Sequence, residues 1–132
     1  MSRTQRVQRE RCVIYARART SNTQITSRLI AAQIARTRRY AAARGLSVVQ
    51  VFRDRNASAG DPHRRGLRTL VRRCDADATL GAVLVSGADR LARSLADWYE
   101  LLAHCASRGI RVVDVRTHSP NASDARLVDR LT

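Results

Sequence analysis

Four short runs rich in valine, separated by longer stretches of helical periodicity, constrain the fold of this chain more than any other feature. The runs are Cys12-Val-Ile-Tyr-Ala16, Ser47-Val-Val-Gln-Val-Phe52, Leu80-Gly-Ala-Val-Leu-Val85 and Ile110-Arg-Val-Val-Asp-Val115, each too short for a helix and rich in β-formers. Between them, Ile25 to Arg44 is alanine-rich and closes on Gly45, a residue suited to a left-handed helix cap. Leu67, Leu70, Val71 and Cys74 recur at helical spacing, as do Leu95, Trp98, Leu102 and Cys105 before Gly109. Strands alternating with helices read as successive βαβ units, whose right-handed crossovers build a parallel sheet covered on both sides. The expected fold is therefore α/β, a four-stranded parallel sheet with helices on both faces in three layers.

A chain of 132 residues fits one domain that buries its own core. Residues 1–10 are polar and basic and are expected to form a flexible arm, with the domain running from 11 to 132. Thr117 to Asp124 reads as a polar loop, and Ala125 to Leu131 as the opening of a further helix. No apolar run approaches the roughly 20 residues of a membrane span, and Met1 to Glu10 lacks the apolar core of a secretory signal, so the expectation is a cytoplasmic protein with no membrane partner.

Twenty-five basic residues against 11 acidic ones give a net charge of +14, and all 25 are arginine. Such an excess favours polyanions through counterion release, with nucleic acid as the usual partner. Cys12, Cys74 and Cys105 are odd in number and scattered, without C-x-x-C spacing. They indicate packing rather than a disulfide framework, and His104 beside Cys105 has no second ligand pair, so neither a metal nor a cofactor is expected.

In an open parallel sheet, ligands bind beyond the carboxyl ends of the strands, where the strand order reverses. The residues expected there are Arg17 and Arg19 after the first strand, Arg53, Asp54, Arg55, Ser58 and Arg64 after the second, and Asp89, Arg90 and Arg93 after the third. Planar guanidinium groups grip phosphate oxygens in pairs and remain charged at any usable pH, so several around one pocket would hold a phosphodiester. Asp54 and Asp89 would orient them by ion pairing. The loop Arg17 to Gln24 has no glycine, which argues against the phosphate loop of a small nucleotide-binding protein.

The segment Val13-Ile-Tyr-Ala-Arg17 resembles the opening strand of the serine recombinases, the resolvase and invertase family, which reads roughly Y-x-R-V-S-T. Gln33 falls where that family carries a glutamine on its first helix. Phe52-Arg-Asp54 with Ser58 is similar to its F-x-D and S-G stretch, Arg64-Arg-Gly-Leu67 to its R-x-G-L helix start, and Asp89-Arg-Leu-Ala-Arg-Ser94 to its D-R-L-x-R-[SD] segment. The likeness extends over about residues 11 to 131. It implies a resolvase-like fold acting on DNA, with Arg17, Arg64, Arg90 and Arg93 as phosphate-stabilising residues, Asp89 as their helper, and Tyr15, Gln33, Asp54 and Ser58 in support.

The resemblance also implies a nucleophilic serine two residues after the first-strand arginine, where this chain carries Arg19. In that family the serine forms a phosphoserine linkage to DNA and releases a 3′-hydroxyl without a metal. A guanidinium is no nucleophile. Either Thr20 or Ser21 serves from a displaced loop, Ser21 sharing side-chain parity with Arg19, or Arg19 is a further DNA ligand in a cleft that holds DNA without cutting it. Family members resemble this domain followed by a dimer-forming helix and a DNA-binding module, which are expected to be absent here, and the S-G motif reads Ser58-Ala59-Gly60. The expected function is that of a recombinase-like, DNA-binding domain with impaired strand cleavage. The alternative is a regulatory module that pairs with a full-length recombinase or with itself through apolar positions such as Val13, Leu127, Val128 and Leu131.

Overall fold

The computed structural model of the chain describes residues 9–18, 22–55, 65–87 and 102–116. Strand β1 (Arg11–Ala18) is buried from Cys12 onward and takes the middle of the sheet, between β2 (Ser47–Arg55) and β3 (Leu80–Val85). Strand β4 (Arg111–Asp114) follows on the far side of β3, giving the order β2-β1-β3-β4 with every pair parallel. The chain steps from β1 to β2 on one side and then returns across β1 to β3. The reversal of strand order therefore lies between the carboxyl ends of β1 and β3, the crevice where ligands collect in such sheets.

Alternate residues of each strand feed two apolar layers. Helix α1 (Thr23–Arg44) packs Tyr40 and Ala41 against Cys12, Ile14, Ala82, Leu84 and Val113. On the opposite face, Leu70 and Cys74 of α2 (Arg65–Ala76) and Leu102 and Cys105 of the helical segment 102–107 meet Val13, Tyr15, Val83, Val85 and Val112. Helix α1 begins at Asn22, whose side chain accepts the Ile25 N–H at 3.0 Å. It ends at Gly45, with φ at 71°, where the Leu46 N–H reaches the Ala41 carbonyl at 2.8 Å and the Gly45 N–H reaches that of Ala42 at 3.3 Å. This paired arrangement needs a left-handed residue after the helix, which glycine adopts without strain.

The α/β class, the four parallel strands and the helices on both faces follow the sequence pattern, and β3 coincides with the expected run Leu80–Val85. Two expectations are corrected. Strands β1 and β2 run on to Ala18 and Arg55, so Arg17, Arg53, Asp54 and Arg55 lie in strands rather than in loops. The ladder continues through the pairs Arg17↔Asp54 and Ala18↔Arg55 because main-chain hydrogen bonds do not require apolar side chains. Val13 is not an exposed apolar position; it is fully buried, since its parity turns it towards α2. Residues 1–8 of the expected arm, Leu95, Trp98, the loop 117–124, and Leu127, Val128 and Leu131 lie outside the described residues. Glu10 is tied to the sheet, its carbonyl accepting the Ser47 N–H at 2.8 Å and its carboxylate pairing with Arg111. Among the described residues no helix is long and apolar enough to cross a membrane.

The three cysteines are packing residues, 0%, 2% and 1% exposed for Cys12, Cys74 and Cys105, while the neighbouring His104 turns to Asp75 at 2.7 Å. Burial, helped by the Glu10 charge, pushes the Cys12 thiol up to about 11 from its ordinary 9.0. The unfolded thiol ionises first on raising the pH. This group therefore leaves stability unchanged below 9.0 and lowers it as the pH climbs from there through about 11. An aromatic disulfide reagent near neutral pH is expected to leave the native protein unreacted and to titrate all three thiols after denaturation. Immediate release of a native equivalent would contradict this burial.

Candidate functional site

Three buried polar side chains hold the carboxyl edge of the sheet, each at the root of a different connection. At the end of β1, pairing with β3 stops at Tyr15↔Val85, leaving the backbone of Arg17 beyond the reach of that ladder. The Gln33 amide replaces the missing strand. Its Oε1 accepts the Arg17 N–H at 2.9 Å and its Nε2 donates to the Arg17 carbonyl at 2.7 Å. Helix α1 comes close enough for this because β1 presents only Ala16 and Ala18 beneath Ile30. Gln33 is 4% exposed and Arg17 7%, so a charged side chain sits in the sheet at the switch point with its main chain fixed on both polar groups.

Asp54 ends β2 in the same manner. Its Oδ2 accepts the buried Tyr15 hydroxyl at 2.6 Å and the Leu67 N–H at 3.0 Å, and its Oδ1 accepts the Gly66 N–H at 2.7 Å. A carboxylate at the start of α2 satisfies amides that no helical carbonyl can reach and lies at the positive end of the helix dipole. Gly66 permits this approach, because a Cβ there would press against the Arg53 carbonyl group, 2.8 Å from its carbon, and lie 3.0 Å from Asp54 Oδ1. Among the described residues, then, Asp54 binds a helix start and a tyrosine rather than an arginine, which corrects its expected ion-pairing role.

Asp114, at the end of β4 and 4% exposed, performs the third attachment. Its Oδ1 accepts the Gly87 N–H at 2.7 Å and the Arg116 N–H at 3.0 Å, securing the chain as it leaves both β3 and β4. Gly87 has φ at 107°, a conformation that side chains rarely tolerate. Nearby, Arg36 Nη1 of α1 donates to Ser86 Oγ at 2.7 Å. An open-mouthed cavity of about 350 Å³ lies beside that bond on the α1 side of the edge.

The structure brings together Tyr15, Arg17, Gln33 and Asp54, the expected site residues among those described. Arg19, Thr20, Ser21, Ser58, Arg64, Asp89, Arg90 and Arg93 lie outside the described residues. Sequence reasoning missed Asp114, Arg36, Ser86 and Arg116. A signal existed for two of them: Asp114 is the only carboxylate in an otherwise apolar and basic strand run, and Arg36 follows Gln33 by three residues on one helix face.

An open parallel sheet with its polar attachments gathered at a reversal of strand order is an α/β architecture that recurs in solved structures. The N-terminal catalytic domain of TP901-1 integrase is similar with a TM-score of 0.71 and 24% identity, covering 92% of this chain and 90% of that one. The C-terminal catalytic domain of ISC1926 TnpA, an IS607-like serine recombinase, gives 0.67 and 28% over 91% and 76% of the two chains. A resolvase family site-specific recombinase from Streptococcus pneumoniae gives 0.72 and 19% over 92% and 82%. No curated protein matches the sequence. The family model for the resolvase N-terminal domain matches residues 12–130, and the chain belongs to that family.

Proposed function

We propose that this chain engages the DNA sugar-phosphate backbone at the carboxyl edge of its sheet, as a serine-recombinase-type domain whose capacity for strand cleavage is impaired. The observation that carries this reading is the fixed Arg17: a buried guanidinium-bearing residue at the β1/β3 switch point, its main chain clamped by Gln33. Such pre-positioning suits a group that must meet a phosphodiester without further reorganisation. Arg64, Arg90 and Arg93, assigned by resemblance, complete the phosphate grip with Asp89 as helper, and Arg19 adds a positive charge where a hydroxyl nucleophile would be needed. The net charge of +14 supports long-range attraction to the duplex. Protein partners in this reading are a second copy of the chain or a full-length recombinase.

Anisotropy of a labelled duplex across a salt series tests binding. Wild type is expected to bind with a steep salt dependence, and Arg90→Ala and Arg93→Ala to weaken it about 3- to 10-fold each, lowering the logarithmic salt slope by about 0.9 per lost phosphate contact. On supercoiled DNA, wild type is expected to form no covalent protein-DNA adduct under conditions where an active family member does. An adduct abolished by Ser21→Ala or Thr20→Ala would establish a displaced nucleophile and overturn the impairment. A non-catalytic pairing module is the second reading, favoured by Ile25 and Leu29, 45% and 38% exposed and one turn apart on α1. Wild type that shows no salt-dependent DNA binding would transfer the weight to it.

A further inference from the structure

The cavity on the α1 side of the edge is lined by Leu29, Ala32, Gln33, Arg36, Ser86 and Arg116. Two arginines thus line one space, and none of its described lining residues is a carboxylate. Arg36 uses one of its five N–H donors on Ser86 Oγ. The Arg116 side chain makes no hydrogen bond or ion pair with any described residue. Like charges facing a common cavity repel, and an anion between them turns that repulsion into attraction. Ser86 is buried and already accepts from Arg36, which leaves its hydroxyl hydrogen to donate to an anion's oxygen. The Asp114 carboxylate is not part of the lining; its Oδ1 is held by the backbone N–H groups of Gly87 and Arg116.

Gln33 connects this cavity to the site already described, lining one while clamping the Arg17 main chain in the other. Arg17 shares the strand parity of Val13 and Tyr15, which face α2, whereas Arg36 and the cavity lie on the α1 side. The two basic groups therefore straddle the edge of the sheet. We propose that the Arg36–Ser86–Arg116 cavity is a second phosphate subsite, gripping a neighbouring phosphodiester of the DNA strand that crosses the carboxyl edge past Arg17. Leu29 and Ala32 give that subsite an apolar lip against which a deoxyribose packs. The assignment rests on the DNA-engaging reading above.

The test uses the full chain, a labelled duplex, and the variants Arg36→Ala, Arg116→Ala and Arg72→Ala across a salt series. Arg72 is exposed on α2, on the opposite face of the sheet, and controls for the loss of one charge. Arg36→Ala and Arg116→Ala are expected to weaken binding about 3- to 10-fold and to lower the salt slope by about 0.9, while Arg72→Ala stays close to wild type. Wild-type binding with all three variants alike overturns the subsite and leaves the DNA-engaging function standing. Wild type that binds no DNA overturns both. A parallel thermal-shift series with inorganic phosphate separates the two sources of the anion. Stabilisation by phosphate that is lost in the Arg36→Ala/Arg116→Ala double variant, with DNA binding unchanged in that variant, assigns the cavity to a free anion and removes it from the DNA path. Concentration-dependent self-association that disappears in the same double variant, again without a DNA effect, would assign it to a carboxylate of a second copy.

Discussion

Asp54→Ala is expected to destabilise the protein by about 3–5 kcal/mol, the largest effect of any single replacement at the edge of the sheet. The carboxylate accepts from the Tyr15 hydroxyl and from two backbone amides at the start of α2, so its removal strands three donors at once. Hydrogen bonds to a charged acceptor contribute about 1.5–3 kcal/mol each, and the sum is moderated because solvent reaches the partly buried helix start. Two milder variants separate the contributions. Tyr15→Phe removes one bond and should lose about 1–2 kcal/mol, whereas Asp54→Asn keeps one acceptor oxygen but loses the charge at the helix start and should fall between. Urea unfolding followed by circular dichroism measures all three. A loss below about 1 kcal/mol for Asp54→Ala would mean that water replaces the carboxylate and that α2 does not depend on it.

Gln33→Leu is the second large effect, expected at about 2–4 kcal/mol. Leucine conserves much of the volume but leaves both the N–H and the carbonyl of Arg17 without their acceptor and donor, in a place where β3 no longer runs alongside. DNA affinity should fall with it even under conditions where the variant remains folded, because Arg17 loses its fixed main chain. Gln33→Glu distinguishes this hydrogen-bonding role from simple packing. A carboxylate still accepts the Arg17 N–H but repels the Arg17 carbonyl, so the variant should be markedly less stable than wild type at neutral pH. Protonation restores a donor, which raises the carboxyl's native pKa above the usual value of about 4.3; the deficit is present above that raised pKa and shrinks as the pH falls through it. A deficit that does not change with pH would reduce Gln33 to a packing residue.

These residues also show what the sequence makes legible. Valine runs and helix caps depend on neighbours in the chain, and they located β3 and the end of α1 at Gly45 correctly. The continuation of β1 and β2 through Arg17 and Asp54 escaped the pattern because it rests on main-chain pairing between distant strands. Gln33 could be placed on the first helix, but an alanine-rich helix has too weak a periodicity to say which face is buried. Its contact with Arg17 depends on small residues in β1, a relation that becomes visible only when the helix is laid over the strand. Arg36 and Arg116 were hidden for another reason. In a chain with 25 arginines, residue type alone distinguishes nothing, and position in the fold has to do so.

The attachments made by Gln33, Asp54 and Asp114 have a consequence for how such a domain can change. Each fixes the root of a connection, Arg17, Gly66 and Gly87 respectively, through groups that belong to the framework and not to the connecting segment itself. The framework thereby works as a socket with fixed pins, and the segments inserted between those pins are exchangeable cassettes. Gln33 holds the strand before residues 19–21 and the Asn22 cap holds the helix after them, so substitutions at Arg19, Thr20 or Ser21 are expected to leave both standing. Exchanging a few residues of a connection is then expected to change what the edge of the sheet does while the fold stays as it is.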